Sequence, residues 1–146
     1  MLRIIAAVLS VVITIGITTT PFMAIATLSY SVMVAGYWQR LNRILHVRLM
    51  VSAILIDLIL VLILEIQRHA IETAMSMKFG PLQQAHIFSS ATATALYFPV
   101  LAMGFYLWNN PSAKIRNWHV RIGKAAFFFR TLGFILMFTL LLQERS

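Results

Sequence analysis

Long apolar stretches separated by short polar segments dominate the chain, at roughly residues 3–38, 44–66, 86–108 and 118–142. Each holds the run of about 20 helical residues that a hydrocarbon core requires. The first is too long for one crossing. About 36 residues rising roughly 1.5 Å each would reach more than 50 Å, and Thr18-Thr19-Thr20-Pro21 interrupts the run midway. The pattern therefore predicts an all-α fold, a polytopic transmembrane helix bundle of five spans, at about 3–19, 21–38, 44–66, 85–108 and 118–142. A four-span bundle with one kinked, long first helix is the alternative. An amphipathic stretch from Gln67 to Gln84, broken at Gly80-Pro81, links the third and fourth spans. Residues 1–146 read as a single membrane domain.

Composition agrees with this pattern. Hydrophobic residues make up 60% of the chain and charged residues 11%, against about half and about a quarter in soluble domains. In water a chain of this length buries only about two-thirds of its surface, so the remaining apolar side chains need lipid around them. Zero cysteines exclude disulfides, zinc–thiolate sites, iron–sulfur clusters and a thiol nucleophile. The net charge of +8 reads as a topology signal, with no nucleic-acid partner expected. In the five-span arrangement Arg3, Arg40, Arg43, Arg48, Lys114, Arg116, Arg121 and Lys124 share the cytoplasmic side, and Arg68, Lys78 and Arg145 lie outside. The amino terminus is then cytoplasmic, whereas four spans would move only Arg3 across. Arg3 and Ala24-Ile25-Ala26 resemble a secretory leader and its cleavage site, but the segment is read as a retained helix. No internal repeat, low-complexity run or nucleotide-binding glycine motif is present, and no Ser or Thr has the acid–base neighbours of a hydrolase. Enzymatic activity is not the expectation.

Polar residues inside the spans carry the candidate chemistry. Asp57 and Arg130 lie near the middles of the third and fifth spans, where an isolated charge costs several kcal/mol. At about 100° per residue His46, Met50 and Asp57 share one helical face, as do His119, Gly123 and Arg130, and both histidine-to-charge offsets are eleven residues. On parallel helices these offsets would set His46 beside His119 and Asp57 beside Arg130, the buried ion pair lying about 16 Å deeper. The four histidines sit at span ends: His46 and His119 inside, His69 and His86 outside. Two facing imidazoles suit a metal ion or haem iron, whereas a lone one suits the headgroup level. If the third helix continues outward, Glu65, His69 and Glu72 share a face near His86 and could hold a divalent metal. Met50, one turn after His46, would add a thioether acceptable to Cu(I). On the fourth span His86, Ser90, Ala93, Tyr97 and Gly104 form a small and polar stripe suited to close helix packing or to a flat cofactor. Pro99 should kink that span. Trp38, Trp108 and Trp118 are interfacial anchors.

Leu45-His46-Val47-Arg48-Leu49-Met50, Gln83-Gln84-Ala85-His86 and Trp118-His119-Val120-Arg121-Ile122 together resemble the bacterial domain-of-unknown-function family four hundred and twenty, the YozB-like membrane proteins. The likeness covers about residues 21 to 142 and rests on a His-x-x-Leu-Met span opening and on histidines opening later spans. His69 is similar to a further family histidine, whereas Asp57, Glu65 and Arg130 resemble a divergent branch. Some members look like assembly factors of haem–copper terminal oxidases, and the resemblance implies that pathway and oxidase subunits as partners.

Three functional readings follow. One is a bacterial inner-membrane metal- or haem-binding accessory protein of a respiratory haem–copper oxidase, carrying haem b or copper on His46, His69, His86 and His119, with Glu65 and Met50 as further ligands. Another is a non-catalytic structural subunit of a larger membrane complex, its register set by Asp57 and Arg130. The third is proton or ion translocation along His46, Asp57, Glu65 and His69, although Glu65 is rotated about 100° from His46. A tag beside Arg3 decides the span count: five spans make it accessible from the cytoplasm, and exclusive accessibility from outside means four.

Overall fold

The computed structural model describes residues 10–14, 20–69, 72 and 80–145, and among them it is helical with no strand. Four helices follow one another: α1 (Pro21–Trp38), α2 (Arg43–Arg68), α3 (Pro81–Asn109) and α4 (Ala113–Arg145). Of the first expected span only residues 10–14 are described, and they are helical, with the Thr14 hydroxyl on the Ser10 carbonyl at 2.8 Å. The chain divides into two compact units, Met1–Arg68 and His69–Ser146. In the first, α1 packs on α2, and in the second, α3 packs on α4.

Local chemistry explains the helix starts and the end of α2. Thr20 caps α1 by accepting from the Met23 N–H at 3.3 Å, and Pro21, whose fixed φ suits a first helical position, follows. The Asn42 side chain accepts from the Leu45 N–H at 3.2 Å and opens α2 after a turn closed by Asn42 N–H on the Gln39 carbonyl at 2.8 Å. His69 adopts φ 46° directly after Arg68. This left-handed conformation cannot continue the helix, so the extension expected to align Glu65, His69 and Glu72 is interrupted. Gly80 and Pro81 start α3 four residues ahead of the expected boundary, which moves residues 81–84 from the linking stretch into the helix. Ser112 starts α4 five residues early, its hydroxyl accepting from the Ile115 N–H at 3.5 Å. α3 runs through Pro99 as one helix.

Three helical segments are long and apolar enough to cross a membrane: Arg43–Gln67, Pro81–Asn109 and Ala113–Leu140. α1 has 18 residues, about 27 Å, just short of a core about 30 Å thick. The packing is that of a membrane protein. Large side chains such as Leu55, Ile59, Leu62, Phe88, Phe98, Phe105, Phe128 and Ile135 are exposed, whereas small ones such as Ala26, Ser29, Ala53, Ser89, Ala93 and Ala126 are buried. Lipid tails are as apolar as leucine, so helices gain little by hiding large apolar groups and associate where small residues let backbones meet.

Hydroxyls in this setting return their protons to backbone carbonyls, which leaves no unsatisfied donor in hydrocarbon. Thr27 bonds Met23 at 2.7 Å, Ser89 bonds Ala85 at 2.7 Å, Thr94 bonds Ser90 at 2.9 Å and Thr131 bonds Phe127 at 2.8 Å. Ser29, fully buried, instead crosses from α1 to the Ala53 carbonyl of α2 at 2.9 Å.

Gly36 marks the tightest approach of α1 and α2. A Cβ there would lie 3.0 Å from Met50 Sδ and 3.1 Å from Leu49 Cβ, and the latter cannot swing aside because it is fixed to the α2 backbone. Gly36→Ala is expected to destabilise the first unit by about 1–3 kcal/mol through overpacking. Gly123→Ala meets open space and should be neutral or stabilising by up to about 1 kcal/mol, the helix-propensity gain. Denaturation in mixed micelles measures both, and equal effects would contradict this account of Gly36.

Candidate functional site

Three of the four histidines make the same unusual contact. Each lays its Nδ1 on a backbone carbonyl of the helix it packs against. In the first unit His46, in the first turn of α2, reaches Gly36 O of α1 at 2.8 Å. In the second, His86 of α3 reaches Gly133 O of α4 at 2.8 Å, and His119 of α4 reaches Val100 O of α3 at 3.2 Å. A helical carbonyl retains a second lone pair after its ladder bond and can only accept, so Nδ1 must carry the proton. The neutral ring is thereby set in the tautomer whose lone pair lies on Nε2.

Small residues make these contacts possible. Gly133 sits against Ser90, whose Oγ is 2.8 Å and backbone N 3.5 Å from where a Cβ would stand. Gly104 faces the His119 ring, with Cε1 3.4 Å from its Cβ position. The stripe His86, Ser90, Ala93, Tyr97 and Gly104 is thus the face of α3 on which α4 packs, and Ala93 and Tyr97 within it are 1% and 2% exposed. Met50 spends its side chain filling the notch at Gly36, its Cγ 3.2 Å from the Cβ position there, so His46 and Met50 converge on one glycine.

The second unit holds its histidines at two separate heights. His86 and Val100 are fourteen residues apart on α3, and His119 and Gly133 are fourteen apart on α4. Antiparallel helices with equal offsets place the two bonds about 21 Å apart along the pair. Each height of this hairpin therefore supplies one imidazole, and His86 and His119 cannot share a ligand atom.

The other expected site residues are placed less tightly. His69 is exposed at the end of α2, Glu65 is half-buried and Glu72 is exposed. Among the described residues no three His, Asp or Glu side chains are grouped as a metal ion would need, and the expected cluster of Glu65 with His69, Glu72 and His86 joins residues of different units. Asp57 is buried at 6% exposure in the first unit, and Arg130 is half-buried in the second. The expected pairings of Asp57 with Arg130 and of His46 with His119 join residues of different units, each described within its own. Gly123, expected on the packing stripe of His119 and Arg130, faces open space.

The residues that sequence reasoning missed are the acceptors Gly36, Val100 and Gly133. A signal existed for Gly36, a helical glycine ten residues before a histidine across a short turn, and none existed for Val100. Compared with models of protein families, with characterised proteins and with solved structures, the chain matches none.

Asparagine places an amide donor near the position of Nδ1 and has no counterpart of Nε2. His86→Asn should therefore keep the hairpin near its native stability, whereas His86→Leu should lose about 1 kcal/mol, the net worth of one interhelical hydrogen bond. Unfolding midpoints in mixed micelles compare the two, and a leucine variant as stable as the asparagine one contradicts a bonding role for Nδ1.

Proposed function

We propose that this chain is a bacterial inner-membrane protein that holds a metal ion or haem through histidine Nε2 and serves as an accessory or maturation factor of a respiratory haem–copper oxidase. The observation that carries the reading is the set of three half-buried histidines with Nδ1 on backbone carbonyls. Metal-binding imidazoles commonly donate their second N–H to a carbonyl or carboxylate, which orients the ring and raises the basicity of the ligating nitrogen. Here that arrangement stands ready, and each ring offers one nitrogen ligand of the kind that haem b or copper accepts. Once bound, such a group would supply electron transfer or metal transfer to a partner. The chain itself fixes three rings and sets the lone pair of each neutral ring on Nε2. The resemblance of the His46, His86 and His119 segments to the YozB-like family supports the oxidase pathway. The proposed arrangement has five crossings with a cytoplasmic amino terminus, α1 forming one of the two short ones.

A second reading, a non-catalytic structural subunit, is favoured by the same bonds, because each also ties one helix to its neighbour at or beside a small residue. The asparagine variants separate the two. Purified full-length protein titrated with haem b, and separately with Cu(I), is expected to develop a Soret shift or retain metal. His46→Asn, His86→Asn and His119→Asn should each keep the helical content and lose that signal in proportion to the site removed. Absence of both haem and copper binding by the wild-type chain overturns the cofactor reading and leaves the structural one.

A further inference from the structure

We propose that the turn end of the α3–α4 hairpin is a binding site for an anionic phospholipid, with one acyl chain in a pocket between the helices and the phosphate held by Lys114 and Arg121. The pocket has a volume of about 330 Å³ and is lined by Ala102, Met103 and Tyr106 of α3 and by Ile115 and Trp118 of α4. That size falls within the range of about 300–1,000 Å³ common to small-ligand sites. Its lining is almost wholly apolar, so what enters it is hydrocarbon.

Beside the pocket the chemistry changes abruptly. Lys114, Trp118 and Arg121 stand at i, i+4 and i+7 and so share one face of α4. Arg121 lies over the Trp118 ring, its guanidinium carbon 5.8 Å from the centroid, so a wall of the pocket is capped by a cation. Lys114, Trp118 and Arg121 are all exposed. The chain has only four acidic residues, Asp57, Glu65, Glu72 and Glu144, and none falls between residues 73 and 143. Over that length of the hairpin, covering both helices beside the pocket, the sequence supplies no carboxylate to neutralise Lys114, Arg116, Arg121 and Lys124. An anion bound by these cations would come from outside the segment.

An occupant with a hydrocarbon tail and an anionic head satisfies both halves of the site, and the bilayer supplies it in abundance. Tryptophan at the rim is the residue that settles at headgroup depth, and lysines and arginines near an anionic surface each add to its attraction. A zwitterionic phospholipid would fill the pocket equally well while leaving the cations unneutralised. Inorganic phosphate would answer the cations and leave the pocket empty.

Native mass spectrometry of the full-length, delipidated protein in detergent tests the proposal with phosphatidylglycerol and phosphatidylcholine of identical acyl chains. Phosphatidylglycerol is expected to be retained at least about tenfold more tightly, the scale expected from two cations near an anionic group. K114Q/R121Q should abolish that preference. Ala102→Trp, at an exposed position, should weaken phosphatidylglycerol by filling the pocket without touching any charge. R43Q/R48Q, in the other unit, should leave the preference intact. Equal retention of the two lipids, an unchanged preference in K114Q/R121Q, full displacement of the lipid by inorganic phosphate, or a second copy of the chain bound in its place would each overturn the proposal.

Discussion

The structure rests on how closely helix backbones approach one another in a solvent that gives side chains little reason to associate. Hydrocarbon neither rewards the burial of leucine nor hydrogen-bonds a stray N–H. Attraction between helices must then come from dispersion at short range and from polar contacts that only short range allows. Gly36, Gly104 and Gly133 set that range. At each, the absent Cβ is replaced by part of a neighbouring residue: a methionine thioether, an imidazole edge and a serine hydroxyl respectively. The buried serines follow the same logic, since Ser29 reaches the Ala53 carbonyl across the α1–α2 contact. Many large residues, Phe88, Phe98 and Phe128 among them, lie at the periphery, where lipid accepts them without cost.

Much of the helical framework was legible beforehand because hydropathy and breaking residues are local properties. Thr20-Pro21 marks a start that both the pattern and the structure respect, Gly80-Pro81 was legible as a break though not as the start of a span, and the three segments able to cross a membrane coincide with apolar runs. Boundaries shifted where capping chemistry outweighed hydropathy, as at Ser112, which draws polar residues into the first turns of α4. The candidate site was legible only in part. Side-chain identity showed four histidines at span ends, but the partners of three of them turned out to be main-chain carbonyls, which every residue possesses and no sequence pattern distinguishes. Val100 gives no hint of its role, because its identity as valine is irrelevant to the bond it accepts. The outer cluster depended on α2 continuing, and the positive φ of His69 removed that premise. Nothing in a histidine codon announces such a conformation, which costs a residue with a Cβ roughly 1–2 kcal/mol.

Placing the histidine proton on Nδ1 has a chemical side and a mechanical one. Chemically, it puts the lone pair of each neutral ring on Nε2, the nitrogen that can then serve as a ligand. Mechanically, it ties ring orientation to the backbone of another helix, where side-chain rotation cannot relax it. A site built this way is organised before any ligand arrives, so ordering these rings adds little to the cost of binding.

The paired bonds of the second unit carry a further consequence for how that hairpin can move. His86 on Gly133 and His119 on Val100 run in opposite senses between the same two helices at heights about 21 Å apart. A slide of α4 by one turn, about 5.4 Å, would carry both rings off both carbonyls at once, so neither joint can yield while the other holds. The hairpin is braced against shear as a strut pinned at both ends is braced. A sliding displacement of one helix against the other is therefore opposed at both ends of the pair at once.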